Sequence, residues 1–434
     1  MGVEQRGRPI QPVSENQPEN GRNSCIQAKS FVISKQLIYE AYQRVKKNKG
    51  SAGIDAQSLE DFDRNLKGHL YKLWNRLSSG SYIPPAVKEV EIPKGDGGKR
   101  RLGIPTVSDR IAQMAVKIQI ETELDKHFHP NSYGYRPNKS AHEALKVTLE
   151  RCQQRAWVLD MDIKGFFDTI DHEKLMKCVE HHIREPWHLL YIKRWLKAPI
   201  HKLNDEIEER TEGTPQGGVI SPLLANLYLH YVFDHWVHRT FGTNVLFERY
   251  ADDIVCHCST KMQAEWLKHQ VETRLKAFNL TLHPEKTRIV YCKNDFRKKS
   301  YTNIAFDFLG FTFRPRWIKT RKGKMGVFFL ADISRKSAKK IRQVINAWPW
   351  RYWYQKEFKE IREYAISRLR GWMQYYSLFS RSGIKFVLMH FDRKLSRWLK
   401  NKYKTIHSIR QAADKVNGTR RERAYLFPHW IKNG

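Results

Sequence analysis

The sequence is poor in cysteine, in acidic side chains and in long apolar runs, and each shortage closes off a class of protein. Six cysteines occur in 434 residues: Cys25, Cys152, Cys178, Cys256, Cys258 and Cys292. None forms a Cys-x-x-Cys pair, so a zinc ribbon or zinc-stapled nuclease is not indicated. Cysteine this sparse fits a reducing compartment. No run of 18 apolar residues exists and the N-terminus lacks a signal-peptide pattern, so the chain reads as intracellular with no membrane partner. Acidic residues number 45 against 78 Lys and Arg, a formal net charge of +33. That excess points to a polyanionic partner. It is uneven: residues 314–434 hold 31 Lys and Arg against 7 Asp and Glu. Aromatic residues are interleaved with this charge, which disfavours a membrane-surface face.

What the sequence does contain divides into two parts. The polar stretch 1–29 reads as a disordered tail. Helical periodicity covers 34–48, 59–77 and 141–153, and a strong helix over 108–128 is expected to open on Ser108 and Asp109. Residues 87–93 and 99–104 form a hairpin around Gly95-Asp96-Gly97-Gly98, rich in cations. Short strands follow near 158–163, 245–255 and 306–313, with a helix over 264–278. Beyond 313 only helices are expected, over 334–347, 356–376 and 384–403. The fold class is therefore α+β up to about residue 313, then an all-helical appendage.

Asp252 and Asp253 sit between the apolar β-formers Phe247 and Ile254-Val255, at the tip of an expected hairpin. Adjacent aspartates repel, and alone they would read as a solvated turn. A second acidic pair changes that reading. In Leu159-Asp160-Met161-Asp162-Ile163, alternation puts Asp160 and Asp162 on one strand face. Were the two strands neighbours, three carboxylates would converge. Carboxylate and phosphate oxygens are the ligands Mg²⁺ prefers. Two such ions, about 3.5–4 Å apart, stabilise attacking and leaving oxygens in phosphoryl transfer.

The resemblance then becomes specific. Tyr250-Ala251-Asp252-Asp253 is similar to the YADD signature of reverse transcriptases. Tyr133-Gly134-Tyr135-Arg136-Pro137, Pro215-Gln216-Gly217-Gly218 running to Leu224-Ala225-Asn226, and Leu282-His283-Pro284-Glu285-Lys286-Thr287 resemble further blocks in the expected order. Asn48 to Asp55 resembles the extra N-terminal block of non-LTR and group II intron enzymes. Ser367-Arg368-Leu369-Arg370-Gly371-Trp372 and Leu426-Phe427-Pro428-His429-Trp430 resemble blocks of the maturase domain. The likeness runs from about residue 35 to 434, to a group II intron-encoded reverse transcriptase and maturase without the HNH endonuclease.

That resemblance implies a right-hand polymerase: fingers and ferredoxin-like palm over 30–313, a helical thumb and maturase domain over 314–400, and a basic tail over 401–434 contacting nucleic acid. It implies Asp162, Asp252 and Asp253 as ligands of two Mg²⁺, and Lys286 as proton donor to the leaving pyrophosphate. Lys94 and Arg100 would clamp the dNTP, Phe167 would exclude a 2′-hydroxyl, and Gln216 would orient nucleotide and template. Arg136, Arg368 and Arg370 would touch nucleic acid. The expected partners are intron RNA, an RNA template, a DNA primer or target and dNTPs, with a homodimer left open. The setting would be cytoplasmic and nucleoid-associated in a bacterium, or organellar. Rival readings are an RNA-binding splicing cofactor with secondary polymerase activity, or a domesticated enzyme of DNA repair or phage defence. Asp160 reads as structural, and Asp168 as an N-cap for the next helix. The aromatic run Trp348 to Tyr354 fits either a hydrophobic plug or a platform for unpaired bases.

Overall fold

Side-chain caps open most of the helices. Ser58 and Ser140 form capping boxes with Asp61 and Glu143. The helix Val107–His127 starts slightly earlier than its sequence suggests, because Thr106 is the cap and accepts from the Asp109 N–H at 3.2 Å. The computed structural model describes residues 31–93, 98–319, 323 and 325–431. The expected tail 1–29, the hairpin tip and Lys94 lie outside the described residues.

Three sheets organise the chain. The first begins with the hairpin β1 (Val87–Pro93) and β2 (Lys99–Ile104), antiparallel with Ile92 opposite Arg100. The second is centred on β3 (Trp157–Asp162). Two short strands, β4 (Ile200–His201) and β5 (Ile207–Glu208), extend the first sheet beyond β1. The second sheet adds β6 (Leu246–Tyr250), β7 (Asp253–Cys258) and β8 (Arg288–Tyr291), in the order β6-β7-β3-β8 and wholly antiparallel. With helices between β3 and β6 and between β7 and β8, this is the ferredoxin-like arrangement.

Alternation on β3 assigns the two faces. Trp157, Leu159 and Met161 enter the large core beneath the sheet, where the helix Lys261–Lys276 packs on β3. Val158 enters a smaller core with Val255 and Val290. Asp160 and Asp162 share the face of Val158, at the end of the sheet where that apolar cover stops.

The chain past residue 313 differs from expectation. A third sheet, β9 (Phe306–Phe308), β10 (Phe311–Lys319) and β11 (Met325–Ile333), carries β structure twenty residues further. The long helix Phe358–Lys402 breaks at Ser380, whose φ and ψ are −143° and 63°. It folds back as a helical hairpin, with Phe358 against Trp398 at 5.2 Å. A fourth helix, Ile409–Glu422, follows. The segment from 401 is accordingly no loose tail: Leu426, Phe427 and Trp430 are buried in the helical core. Asp392 anchors them, accepting from Trp430 Nε1 at 2.8 Å and meeting His429 Nε2 at 2.9 Å.

Candidate active site

Strand register brings the aspartates together. Asp162, the last residue of β3, stands opposite Asp253, the first of β7. Ala251 and Asp252 form the two-residue turn between β6 and β7, and Ala251 has φ of 58°, the left-handed value such hairpins require. A non-glycine residue there needs support from its surroundings.

That support comes from three segments far apart in sequence. Arg249 is buried, paired with Asp234 at 2.6 Å, and also donates to Asn226 Oδ1 at 2.9 Å and to the Ala251 carbonyl at 3.1 Å. Asp234 closes a π-helical turn, His230–Asp234, a distortion common at functional sites. Asn226 donates to the Gly134 carbonyl at 2.6 Å. Tyr133 N–H donates to the Arg249 carbonyl at 2.8 Å, tying the loop to β6. Gly134 lies so close to the turn that a Cβ there would stand 2.5 Å from the Ala251 nitrogen. Three sequence motifs thus meet under one turn.

The neighbouring segments dock on β3 and on the fingers. His283 N–H donates to the Asp162 carbonyl at 2.7 Å, which brings Lys286 Nζ to 2.8 Å from Asp162 Oδ2. Phe167 lies on the short 3₁₀ turn Phe166–Asp168 and is half-buried. Its carbonyl accepts from Thr214 N–H at 2.7 Å. Two residues on, the Gln216 carbonyl accepts from Gly103 N–H at 2.9 Å. Gly217, at φ of 128°, is packed so tightly that a Cβ would meet the Gly103 carbonyl oxygen at 2.5 Å. Gln113 braces the same loop, accepting from Val219 N–H at 2.8 Å. Asp109 holds Gln113 in turn, at 2.9 Å, and also accepts from Tyr82 and Trp195. Burial pushes the Asp109 carboxyl up to about 6 despite these three donors.

Electrostatics show one crowded anionic site. Asp253 is exposed along its outer side, yet enough protein surrounds it to push its carboxyl up to about 7. Desolvation is the main cause, followed by the charges of Asp252 and Asp162, while Lys286 and Lys336 oppose it. Asp252 is raised by burial and by Asp162, and lowered by Arg100 and Lys286. Arg100, on β2, is therefore a cation of this site. Among the described residues no three Asp, Glu, His or Cys side chains already stand as a closed metal cage. The donor set nevertheless fits a hard divalent cation, being three carboxylates crowded together. The ammonium of Lys286 stands at Asp162 as a cation there would.

Some expectations need correction. Arg136 faces inward: it bonds Asp125 Oδ1 at 2.6 Å and the carbonyls of His129 and Ser132 at 2.8 Å, and is nearly buried. It holds the loop in place and has no face left for nucleic acid. Asp168 does not cap the next helix; Asp171 does, accepting from Lys174 N–H at 2.9 Å. Arg368 and Arg370 are exposed on the thumb helix. The Gln216 side chain reaches Asp168 Oδ2 at 3.4 Å.

Two site residues escaped the sequence reading. Tyr135 is 54% exposed with φ of 55°, and its phenol is raised by burial and by Asp252. Only its place in the motif Tyr133-Gly134-Tyr135-Arg136-Pro137 could have flagged it. Lys336, on the thumb helix Arg335–Asn346, acts on Asp253. No local pattern marks it, because the hairpin β10–β11 carries it there.

A ferredoxin-like palm with paired carboxylates at the ends of two neighbouring strands, under a basic fingers hairpin, defines a polymerase of the right-hand class. The family model described as reverse transcriptase (RNA-dependent DNA polymerase) matches residues 92–313. Protein YkfC of Escherichia coli (strain K12) is 30% identical over 360 residues, 74% of this chain and 90% of that protein. The group II intron-encoded protein LtrA of Lactococcus lactis subsp. cremoris is 34% identical over 224 residues, 51% of this chain and 37% of LtrA. Nuclear intron maturase 4, mitochondrial, of Arabidopsis thaliana is 24% identical over 51% of this chain and 26% of its own length. The chain belongs to the reverse transcriptase family, and its relatives place it with the group II intron reverse transcriptases and maturases. Reverse transcriptases generally use divalent metal ions.

Proposed function

We propose that this chain copies intron RNA into DNA and binds that RNA to assist splicing and mobility. The observation that carries the reading is the register of Asp162 against Asp253, with Asp252 in the adjoining turn. These three carboxylates would hold two Mg²⁺, which when bound lower the cost of the charge that develops on the attacking and leaving oxygens. The deoxynucleotide would lie between palm and fingers. Arg100 is the described fingers cation acting on the site, and would take the triphosphate; Lys94 would join it.

Thr214 N–H bonds the Phe167 carbonyl, and the Gln216 side chain donates to Asp168, the residue after Phe167, at 3.4 Å. The Phe167 ring would sit under the sugar, where an apolar wall leaves a 2′-hydroxyl without a partner. Gln216, its backbone fixed to Gly103, would face the base pair. Lys286 is a positioned ammonium beside Asp162 and would give its proton to the pyrophosphate oxygen as it leaves. The exposed thumb cations, Arg368 and Arg370 among them, would meet RNA phosphates.

Primer extension with the full chain, an RNA template, dNTPs and Mg²⁺ tests this reading. Full-length DNA product is expected. A well-folded protein that binds intron RNA but extends no primer would overturn the polymerase assignment.

A further inference from the structure

The aromatic run that fits either plug or platform divides between core and surface. Trp348, Trp353 and Trp398 are buried in the helical core, and Trp398 Nε1 donates to the Trp353 carbonyl at 2.7 Å. Trp348 lies nearly parallel to Trp372, at 8° and 6.3 Å between ring centroids. These rings are the plug. Tyr352 and Tyr354, in the same run, stay 80% and 58% exposed. These two rings put an aromatic surface beside the plug.

Between them opens a cavity of about 610 Å³, within the range that holds a small molecule or a base. Trp350 and Trp398 line it, with Tyr352 and Tyr354 at its lip. Arg351, Lys394 and Arg397 line it too. Among the described residues, no Asp or Glu is ion-paired to any of these three cations. Their neighbourhood is strongly positive: His390 is held below its ordinary value by burial and then by Lys394, Arg342, Arg393 and Arg397. Asn346 and Asn401 add amide donors and acceptors. The cavity sits toward the far end of the hairpin from Ser380, on the order of 25 Å along the helix at 1.5 Å per residue. None of its lining residues belongs to the carboxylate site, so the two sites are separate.

Flat rings, unpaired cations and amide edges together fit one class of ligand. We propose that this cavity takes a single unstacked nucleobase of RNA, from a bulge or loop. The base would stack on the aromatic floor and lip, and its flanking phosphates would lie on Arg351, Lys394 and Arg397. This rests on the reading that the helical domain binds RNA, and adds where and in what form.

The test uses the full chain and three RNA hairpins: one with a bulged adenosine, one with an abasic bulge at the same place, one fully paired. Wild type is expected to bind the bulged hairpin about tenfold or more tighter than the abasic one, the effect of stacking one base. The Tyr352→Ala, Tyr354→Ala variant should bind all three alike while still extending a primer on an unstructured RNA template. Both rings are exposed, so their loss leaves the core intact. Equal affinity of wild type for bulged and abasic hairpins, or a preference that survives in the variant, would overturn the pocket alone. Failure of wild type to bind any hairpin would overturn RNA binding by this domain as well. Tighter binding of a poly-glutamate peptide than of any hairpin would assign the cations to an acidic protein and overturn the base pocket.

Discussion

The palm and the thumb treat charge in opposite ways. In the palm, cations are turned inward and paired: Arg249 with Asp234 at 2.6 Å, Arg136 with Asp125 at 2.6 Å. What the palm gathers at one end of its sheet is negative, three aspartates of which Asp162 alone is ion-paired among the described residues, with Lys286. In the thumb, the exposed cations Arg368, Arg370 and Arg397 have no acidic partner among the described residues, and the 31 basic residues from 314 onward far outnumber the acids. A residue type therefore does not reveal its job; its environment does. Arg249 and Arg136 in the palm are structure, whereas Arg368 and Arg370 on the thumb are, on the proposed reading, phosphate contacts. On the proposed reading, the crowded carboxylates meet Mg²⁺ and the unpaired thumb cations meet RNA.

The same substitution in the two regions sharpens this most. Arg136→Ala should cost about 3–5 kcal/mol, because it strands a partly buried Asp125 and two loop carbonyls. Chemical denaturation would read it. Arg368→Ala with Arg370→Ala should leave stability within about 0.5 kcal/mol and instead lower the slope of log affinity for RNA against log salt by about two. An Arg136 variant of native stability with weakened RNA binding would break the comparison.

A smaller effect is expected at the sugar. Phe167→Ala should raise incorporation of ribonucleotides relative to deoxynucleotides by roughly 10–100-fold in kcat/KM. Single-nucleotide extension with matched dNTP and rNTP measures it; unchanged discrimination would return Phe167 to the core.

The smallest concerns the anionic site itself. The native state keeps a proton on Asp253 up to about pH 7, whereas the unfolded chain releases it near the ordinary carboxylate value. Stability therefore falls as pH rises between those two values. Asp253→Asn should stabilise the protein at pH 8 by about 1–2 kcal/mol, discounted for the exposed side of the carboxylate. The gain should vanish near pH 4. Thermal unfolding of both proteins across that range would show it, and a variant less stable at pH 8 would contradict it.

The carboxylate site was legible because it obeys local rules. A period-two strand places Asp160 and Asp162 on one face, and a two-residue hairpin places Asp252 and Asp253 at its tip. What local pattern could not give was set by long-range packing. The strand β10 contains Pro315 among Arg314 and Arg316, which reads as loop. It survives because β9 covers only Phe311 to Phe313, so Pro315 lies beyond that pairing. The basic excess of residues 401–434 masked Leu426, Phe427 and Trp430, which Asp392 draws into the core. Arg136 carried a motif's identity without its exposure. Tyr135 and Lys336 reach the site only through the fold, one by the loop pressed on the Ala251 turn, the other by the hairpin β10–β11.

On the proposed reading, the three palm aspartates perform the chemistry and the thumb cations hold the RNA. The direct test is one preparation of Asp252→Ala, Asp253→Ala beside wild type, assayed for primer extension on RNA and for intron RNA affinity. DNA synthesis reduced to background with affinity within about twofold of wild type is the predicted result. Extension that persists in the folded variant would contradict the account.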